Sequence, residues 1–207
     1  MKTQRMILGI ILLTVPLFLC SCTVGIEKPK YTVLEKEGSF EVRQYPSYLT
    51  AETIVDAGFK DAGNIAFRRL FKYISGDNKK KEAISMTAPV NQQNLSEKIA
   101  MTAPVSQRVS EGKYAVSFVM PSKYTMETIP EPLDETVVIK QVPPQTMAAV
   151  RYSGTWSQKR YEEKKAALEE FIQRKELDIF GEPVFARYNP PFELWFLRRN
   201  EVLIPVE

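Results

Sequence analysis

The sequence predicts an α+β domain in which antiparallel strands are combined with two helices. Three observations support this fold class. Apolar residues alternate over short segments, as in half-buried strands. Two longer segments instead show the spacing of an amphipathic helix. The order strands, helix, strands occurs twice, near residues 31–120 and 136–207. We therefore expect an approximate internal duplication, with two curved sheets sharing a core and one helix outside each.

The individual elements follow from local residue patterns. The strands are predicted from β-branched, aromatic and alternating residues, with Gly, Ser or Pro in the turns between them. Their predicted ranges are 31–37, 40–45, 48–55, 113–121, 136–142, 147–152, 184–188 and 194–205. The helices are predicted at 59–75 and 157–177, where Gly76 and Gly181 mark the ends.

A short internal repeat lies between the first helix and the strand at 113–121. Residues 83–90 return fifteen positions later as residues 98–105, and both copies contain Met-Thr-Ala-Pro-Val. Two copies are too few for a solenoid. The repeat is interpreted either as two short strands, each ended by a proline and with Ile and Met on one face, or as a ligand-contacting segment.

The composition excludes several classes of function. The chain contains no histidine, and its two cysteines are Cys20 and Cys22. Residues 31–207 therefore cannot supply Ser-His-Asp or Cys-His catalysis or a Cys/His zinc site. Residues 1–21 hold two of the 28 basic residues and none of the 25 acidic ones. Residues 22–207 therefore have a net charge of +1 and lack the basic excess of a nucleic-acid-binding protein. We expect a monomer that is neither an enzyme nor a nucleic-acid-binding protein.

The N-terminal residues predict export and lipid attachment. Lys2 and Arg5 precede fourteen uncharged residues, 6–19, a length that suits a signal peptide and is short for a membrane-spanning helix. Leu19-Cys20-Ser21-Cys22 resembles the lipobox of bacterial lipoproteins, with Cys22 as the cysteine that carries acyl chains such as palmitate. The prediction is a signal peptide at 1–21, a lipid-attached tether at 22–30 and a domain at 31–207 in the cell envelope. A plain secretory signal or an uncleaved anchor helix are the alternatives.

Several motifs along the domain resemble the SOUL haem-binding family. They occur in order and at the family's spacing through nearly the whole of residues 31–207. The matching segments are Tyr45-Pro46, Phe71 to Asn78, the two Met-Thr-Ala-Pro-Val copies at 86–90 and 101–105, Phe118 to Thr125, Ser153-Gly154, Tyr188 to Pro191 and Arg198 to Val202.

This resemblance implies a fold and a ligand. The fold would be a distorted antiparallel β-barrel of two similar halves with two flanking α-helices. The ligand would be haem or a related porphyrin in an apolar groove alongside the first helix, at Asn64, Phe71, Lys72 and Met86. Lys72 could pair with a propionate, or be an ordinary lysine favoured by the helix dipole. Phe71 could be a ligand platform or a core residue.

The sequence also departs from the family pattern. Where a family member has a basic residue after the Pro-Pro loop, this chain has Glu193. Iron could be ligated only by Met, Tyr or Lys, or not at all. The leading hypothesis is a membrane-tethered, non-enzymatic carrier or buffer for haem or a related tetrapyrrole. The alternatives are a sensing module for another hydrophobic ligand, recognised by an acidic groove, and a structural envelope lipoprotein with a filled groove.

The lipoprotein prediction is tested by the substitution Cys22→Ser. The variant should lose membrane retention and keep its fold, because the acyl chains are the only anchor expected. Fractionation of cells after a salt wash, with circular dichroism of the released domain, measures both properties. A Cys20→Ser variant is the matched control and should remain with the membrane. Retention of the Cys22→Ser protein in the membrane fraction would contradict the prediction.

Overall fold

The computed structural model describes residues 27–80, 97–110, 112–190 and 192–207. Two helices and eleven strands are formed in these ranges. In chain order they are β1 (Thr32–Glu37), β2 (Phe40–Tyr45), β3 (Tyr48–Val55), α1 (Phe59–Ile74), β4 (Asn78–Lys79), β5 (Val105–Ser110), β6 (Lys113–Val119), β7 (Glu131–Pro132), β8 (Val137–Val142), β9 (Gln145–Tyr152), α2 (Gln158–Arg174), β10 (Val184–Arg187) and β11 (Asn200–Pro205).

Nine of the strands form one antiparallel sheet in the order β1-β2-β9-β11-β10-β5-β6-β3-β8. The two sequence halves exchange strands within it, because β2 pairs with β9 and β3 pairs with β8. The remaining strands, β4 and β7, form a separate two-residue pair. Long-range pairing therefore ties the beginning of the domain to its end.

Both helices lie on one face of the sheet, and each covers its own hydrophobic cluster. Leu70 and Ile74 of α1 pack with Phe118 of β6. Phe171 and Ile172 of α2 pack with Val150 of β9 and Val202 of β11, farther along the same face of the sheet. The side chain of Ser157 accepts a hydrogen bond from the Arg160 amide and caps α2. The rings of Phe59 and Tyr161 lie 5.7 Å apart and join the two clusters.

The opposite, helix-free face carries a buried ion network. The Glu201 carboxylate on β11 lies 2.7 Å from Arg43 on β2 and 2.7 Å from Arg199, and it accepts a hydrogen bond from the Tyr188 hydroxyl at 2.9 Å. Burial alone would raise the pKa of Glu201, but the hydrogen bonds and charges of Arg43 and Arg199 outweigh burial and lower it. The network joins β2 to β11 across the intervening β9.

The segments before and after residues 81–96 are joined by one buried asparagine. The Asn78 side-chain amide donates to the carbonyls of Tyr73 and Glu97, each at 2.8 Å, and accepts from the Glu97 amide at 3.0 Å. The Ile99 amide also donates to the Ile74 carbonyl at 2.7 Å. The asparagine of the family-like motif at 71–78 is therefore a structural residue at the end of α1.

Most of the predicted helices and strands are confirmed. The two sheets that were expected are instead one nine-stranded sheet with both helices on one face, β5 was not predicted, and two further regions differ. The second repeat copy, 98–105, is irregular until β5 begins at Val105, and Ile99 is buried whereas Met101 is exposed. The strand predicted at 194–205 begins only at Asn200. An α+β fold with an antiparallel sheet and two helices is confirmed, but β1 and β8 remain unpaired edges in the described sheet, so closure into a barrel is not confirmed.

In the four described ranges, no helix combines the length and the apolar character needed to cross a membrane. The predicted signal peptide and Cys22 lie outside these ranges. The lipoprotein assignment therefore stays a prediction from the sequence.

The ion network predicts a strong and pH-dependent effect of Glu201→Gln. Removal of the carboxylate leaves Arg43 and Arg199 without their buried partner and should lower the free energy of unfolding by about 3–5 kcal/mol. Because the folded-state pKa of Glu201 is lowered, its contribution is present above the unfolded pKa of about 4.3 and is lost as the pH falls through the folded value. Urea denaturation at several pH values should show the variant and wild type converging in acid.

The matched control is Glu52→Gln on the helix-free face. Glu52 is also buried, but its partners Arg108 and Lys140 keep about a third and about half of their side chains exposed. Its removal should cost less, because these two cations can be hydrated by solvent. Equal losses for both variants would contradict the importance assigned to the Glu201 network.

Candidate functional site

An exposed pair of stacked phenylalanines lies along α1. The rings of Phe67 and Phe71 are 5.8 Å apart and nearly parallel, with an interplanar angle of 12°. Phe67 also packs edge-on against Phe118 of the core, whereas Phe71 remains 45% exposed. We call Phe67 and Phe71 the aromatic stripe. One end of the stacked pair is thus fixed by the core, and the other presents an apolar surface to solvent.

The residues predicted for the ligand site are placed unequally around this stripe. Asn64 is exposed and lies two turns before Phe71, so the two share a side of the helix. Lys72 is also exposed but is turned by about 100° around the helix axis from Phe71. Met86 lies outside the described residues. The structure therefore places Asn64 and Phe71 on one side of α1 and Lys72 on another.

Two residues that the sequence analysis did not single out border the stripe. Gly63 lies one turn before Phe67 and faces the guanidinium of Arg187, which is the last residue of β10. A Cβ atom at Gly63 would approach the Arg187 terminal nitrogens to 2.6 and 3.1 Å. The spacing Gly63, Phe67, Phe71 at intervals of four was the available signal for a continuous side of α1, but only tertiary structure brings Arg187 to it.

Apolar side chains are also exposed in the loop that joins β10 to β11. The exposed members are Phe192, Leu194, Trp195, Phe196 and Leu197, with Phe192 the most exposed at 85%. The base of this loop approaches α1 at Gly63, which faces Arg187. There, the guanidiniums of Arg187 and Arg198 both lie against the Trp156 ring, at 5.3 and 4.4 Å from its centroid.

Two cavities lie away from the stripe. One of about 450 Å³ is lined by residues 27–30 and by the 120–127 segment. The other, of about 400 Å³, lies on the helix-free face and is lined by residues as distant in strand order as Tyr45 on β2 and Lys140 on β8. The sheet therefore curves toward its helix-free face. Phe180 also lines this second cavity.

The buried carboxylates of the helix-free face are already neutralised. Glu52 lies 3.0 Å from Arg108 and 2.5 Å from Lys140, and Glu201 has the two arginine partners described above. An acidic groove selecting a cationic ligand needs carboxylates without such partners. The arrangement on this face does not favour that kind of site.

The residues described by the structure contain no group of three Asp, Glu, Cys or His side chains able to hold a metal ion. The resemblance implies a haem ligand, whose ring and carboxylates could contact α1 and the base of the β10–β11 loop. The exposed aromatic stripe suits the ring, and the nearby cations suit the carboxylates. Neither contact needs an imidazole.

The fold and the exposed stripe define a helix-backed antiparallel α+β protein with an open apolar surface on α1. A sequence profile described as "SOUL heme-binding protein" matches residues 26–96 and 90–205. The chain belongs to this SOUL family.

Two relatives are similar over most of their length. The chain is 28% identical to "Heme-binding protein 2" of Homo sapiens over 191 residues, which is 86% of this chain and 88% of the human protein. It is 26% identical to "Heme-binding protein 1" of Xenopus tropicalis over 175 residues, covering 80% of this chain and 87% of the relative.

Solved structures support the fold alone. The EcmrR C-terminal domain aligns with a TM-score of 0.59 at 8% identity, covering 86% of this chain and 98% of that domain. A hydrolase from Listeria innocua aligns with a TM-score of 0.52 at 9% identity, covering 84% and 94%. At these identities neither likeness bears on activity.

Proposed function

We propose that this protein is a membrane-tethered, non-enzymatic binding protein for haem or a related tetrapyrrole, acting as a carrier or buffer. The observation that carries the proposal is the exposed aromatic stripe of α1 in a chain of the SOUL heme-binding family. Asn64, on the same side of α1 as Phe71, and Lys72, on the adjacent side, are the proposed polar contacts. Met86, outside the described residues, stays a contact predicted from the sequence.

The aromatic stripe gives a physical source of affinity for a flat ring. Phe71 is about half exposed while Phe67 is anchored on the core, so a planar ligand can cover both rings without displacing either one from the core. Each square ångström of apolar surface removed from water contributes about 25 cal/mol before the costs of association. The stacked pair also favours offset contacts with an aromatic ligand.

The surface is better suited to this ligand than to the alternatives considered. A sensor of cationic ligands is disfavoured, because Glu52 and Glu201 are both paired with two cations. A structural protein with a filled groove is disfavoured by the exposure of Phe71. The absence of histidine and the position of both cysteines before residue 27 support a non-enzymatic role.

Membrane attachment is proposed from the N-terminal residues. Acylation of Cys22 would hold the protein at a membrane surface of the cell envelope, with residues 22–30 as a short tether. The domain would then present α1 to ligands near that membrane.

Metal-free protoporphyrin should bind this protein almost as well as haem. Without histidine, most of the binding free energy comes from burial of the ring, so the two dissociation constants should agree within about tenfold, or roughly 1.4 kcal/mol. Equilibrium titration followed by quenching of protein fluorescence measures both. Absence of saturable binding for either ligand would reject the tetrapyrrole proposal. Binding of haem alone, with a ligated spectrum that one Met or Tyr substitution abolishes, would reject metal independence.

Phe71→Ala should weaken both ligands by about tenfold, since it removes the exposed half of the stacked pair. Thermal stability should fall only modestly, because Phe71 is about half exposed and lies outside the buried core. The matched control is Phe180→Ala, a phenylalanine that is 53% exposed at the cavity on the helix-free face. Weaker binding in the Phe180→Ala variant with unchanged binding in Phe71→Ala would place the ligand in that cavity instead.

A further inference from the structure

Two buried polar atoms of the described chain have no hydrogen-bond partner. They are the Nε atom of Arg187 and the hydroxyl of Tyr152. Buried polar groups are almost always hydrogen-bonded, so each exception calls for a physical explanation. Both atoms belong to one small region of the helix-covered face.

The strand register places these residues in a single row. Arg187 on β10 lies opposite Asn200 on β11, and Asn200 lies opposite Tyr152 on β9. Directly opposite residues project from the same face of a sheet. Asn200, in the middle, is satisfied: it accepts from the Trp156 indole at 2.9 Å and donates to the Gly154 carbonyl at 3.1 Å. The middle residue of the row is thus hydrogen-bonded, whereas Arg187 Nε and the Tyr152 hydroxyl at its two ends lack hydrogen-bond partners.

Arg187 also has no carboxylate partner among the described residues. Its guanidinium donates one hydrogen bond, to the Gln107 side-chain oxygen at 2.9 Å, and lies against the rings of Trp156 and Phe185. Burial lowers the pKa of Arg187 to about 10. Arg43, Arg108 and Arg199 on the other face each have a carboxylate within 3.0 Å. Arg187 is therefore a largely buried cation that no carboxylate of the described residues compensates.

The position of this cation relates it to α1. Its terminal nitrogens face Gly63, where any side chain would collide with them. Gly63 precedes Phe67 by one turn and Phe71 by two, which places it about 12 Å along the helix axis from Phe71 and about 80° around the axis. Arg187 lies against Gly63, at the N-terminal half of α1. Part of the Arg187 side chain remains accessible to solvent. This partial exposure leaves a route to Arg187 for an anion from solvent.

We propose that Arg187 binds a carboxylate of the ligand that lies on the aromatic stripe. The preferred ligand is then a planar aromatic or macrocyclic acid, and neutral or cationic rings of the same size bind less tightly. A guanidinium is suited to this role because its fork of donors matches a carboxylate. The inference rests on the proposed function, which it deepens by naming the charged group that the protein recognises and the residue that recognises it.

Protoporphyrin IX and its dimethyl ester test this assignment, because they share a ring and differ in the carboxylates. Trp195→Phe leaves Trp156, beside Arg187, as the only tryptophan, so its emission reports binding at this place. In that background Arg187→Gln should weaken protoporphyrin IX by about tenfold or more and the ester by less than about threefold. Tyr152→Phe, a neutral change in the same row, is the matched control and should weaken both ligands by less than about threefold.

The melting temperature of the ligand-free protein separates binding from structure. Arg187→Gln should change it little, since the loss of the hydrogen bond to Gln107 is offset by removal of a largely buried cation that has no carboxylate partner among the described residues. An equal loss of affinity for both porphyrins together with a lower melting temperature would show a purely structural arginine and overturn the proposal. Unchanged affinity for protoporphyrin IX would overturn it as well.

If the wild type binds neither porphyrin, a small aromatic acid can still test the carboxylate site at Arg187. That result alone would reject the proposed function. 4-Bromobenzoate should then quench Trp156 emission saturably in the Trp195→Phe protein, and Arg187→Gln should abolish the saturation. Quenching by methyl 4-bromobenzoate should show no saturation in either protein. A linear response to the acid in the protein that retains Arg187 would overturn the carboxylate site independently.

Discussion

The Glu201 carboxylate joins parts of the chain that are far apart in sequence, and the sheet depends on this connection. It accepts hydrogen bonds from Arg43 on β2 and from Arg199 and Tyr188 in the β10–β11 region. A buried carboxylate with two cationic partners stabilises the fold only when every partner is in place. The network therefore favours one register of these strands over others. The curvature that brings both ends of the sheet around the helix-free cavity is built on that register.

The pairing of buried charged side chains differs between the two faces of the sheet, and this difference indicates where the candidate site lies. On the helix-free face the buried carboxylates and the arginines are paired with one another. On the helix-covered face Arg187 lies without a carboxylate among the described residues, next to Gly63 and the aromatic stripe. A ligand that supplies an anion and a flat apolar surface would satisfy both features at once. The cost of an unpaired cation in the free protein would then be recovered on binding.

Local patterns predicted most of the secondary structure, because they depend on neighbouring residues. The alternating segments gave β1, β2 and β3, and the helical spacing gave α1 and α2 to within a few residues. Residues 194–199 have a strand-like composition but lack a partner strand, and their apolar side chains are exposed. Of the residues predicted for the site, Asn64, Phe71 and Lys72 are exposed on α1. Arg187, by contrast, comes from a strand more than a hundred residues away. Only the fold brings Arg187 and Gly63 together.

The position of β11 has a consequence for how the chain matures. This strand, Asn200–Pro205, is fully buried and lies between β9 and β10. A nascent chain that ends before residue 200 has neither Glu201 nor the strand that connects the two sides of the sheet. Non-local pairing of this kind also forms slowly. Such a chain cannot complete the nine-stranded sheet until residues 200–205 have been synthesised.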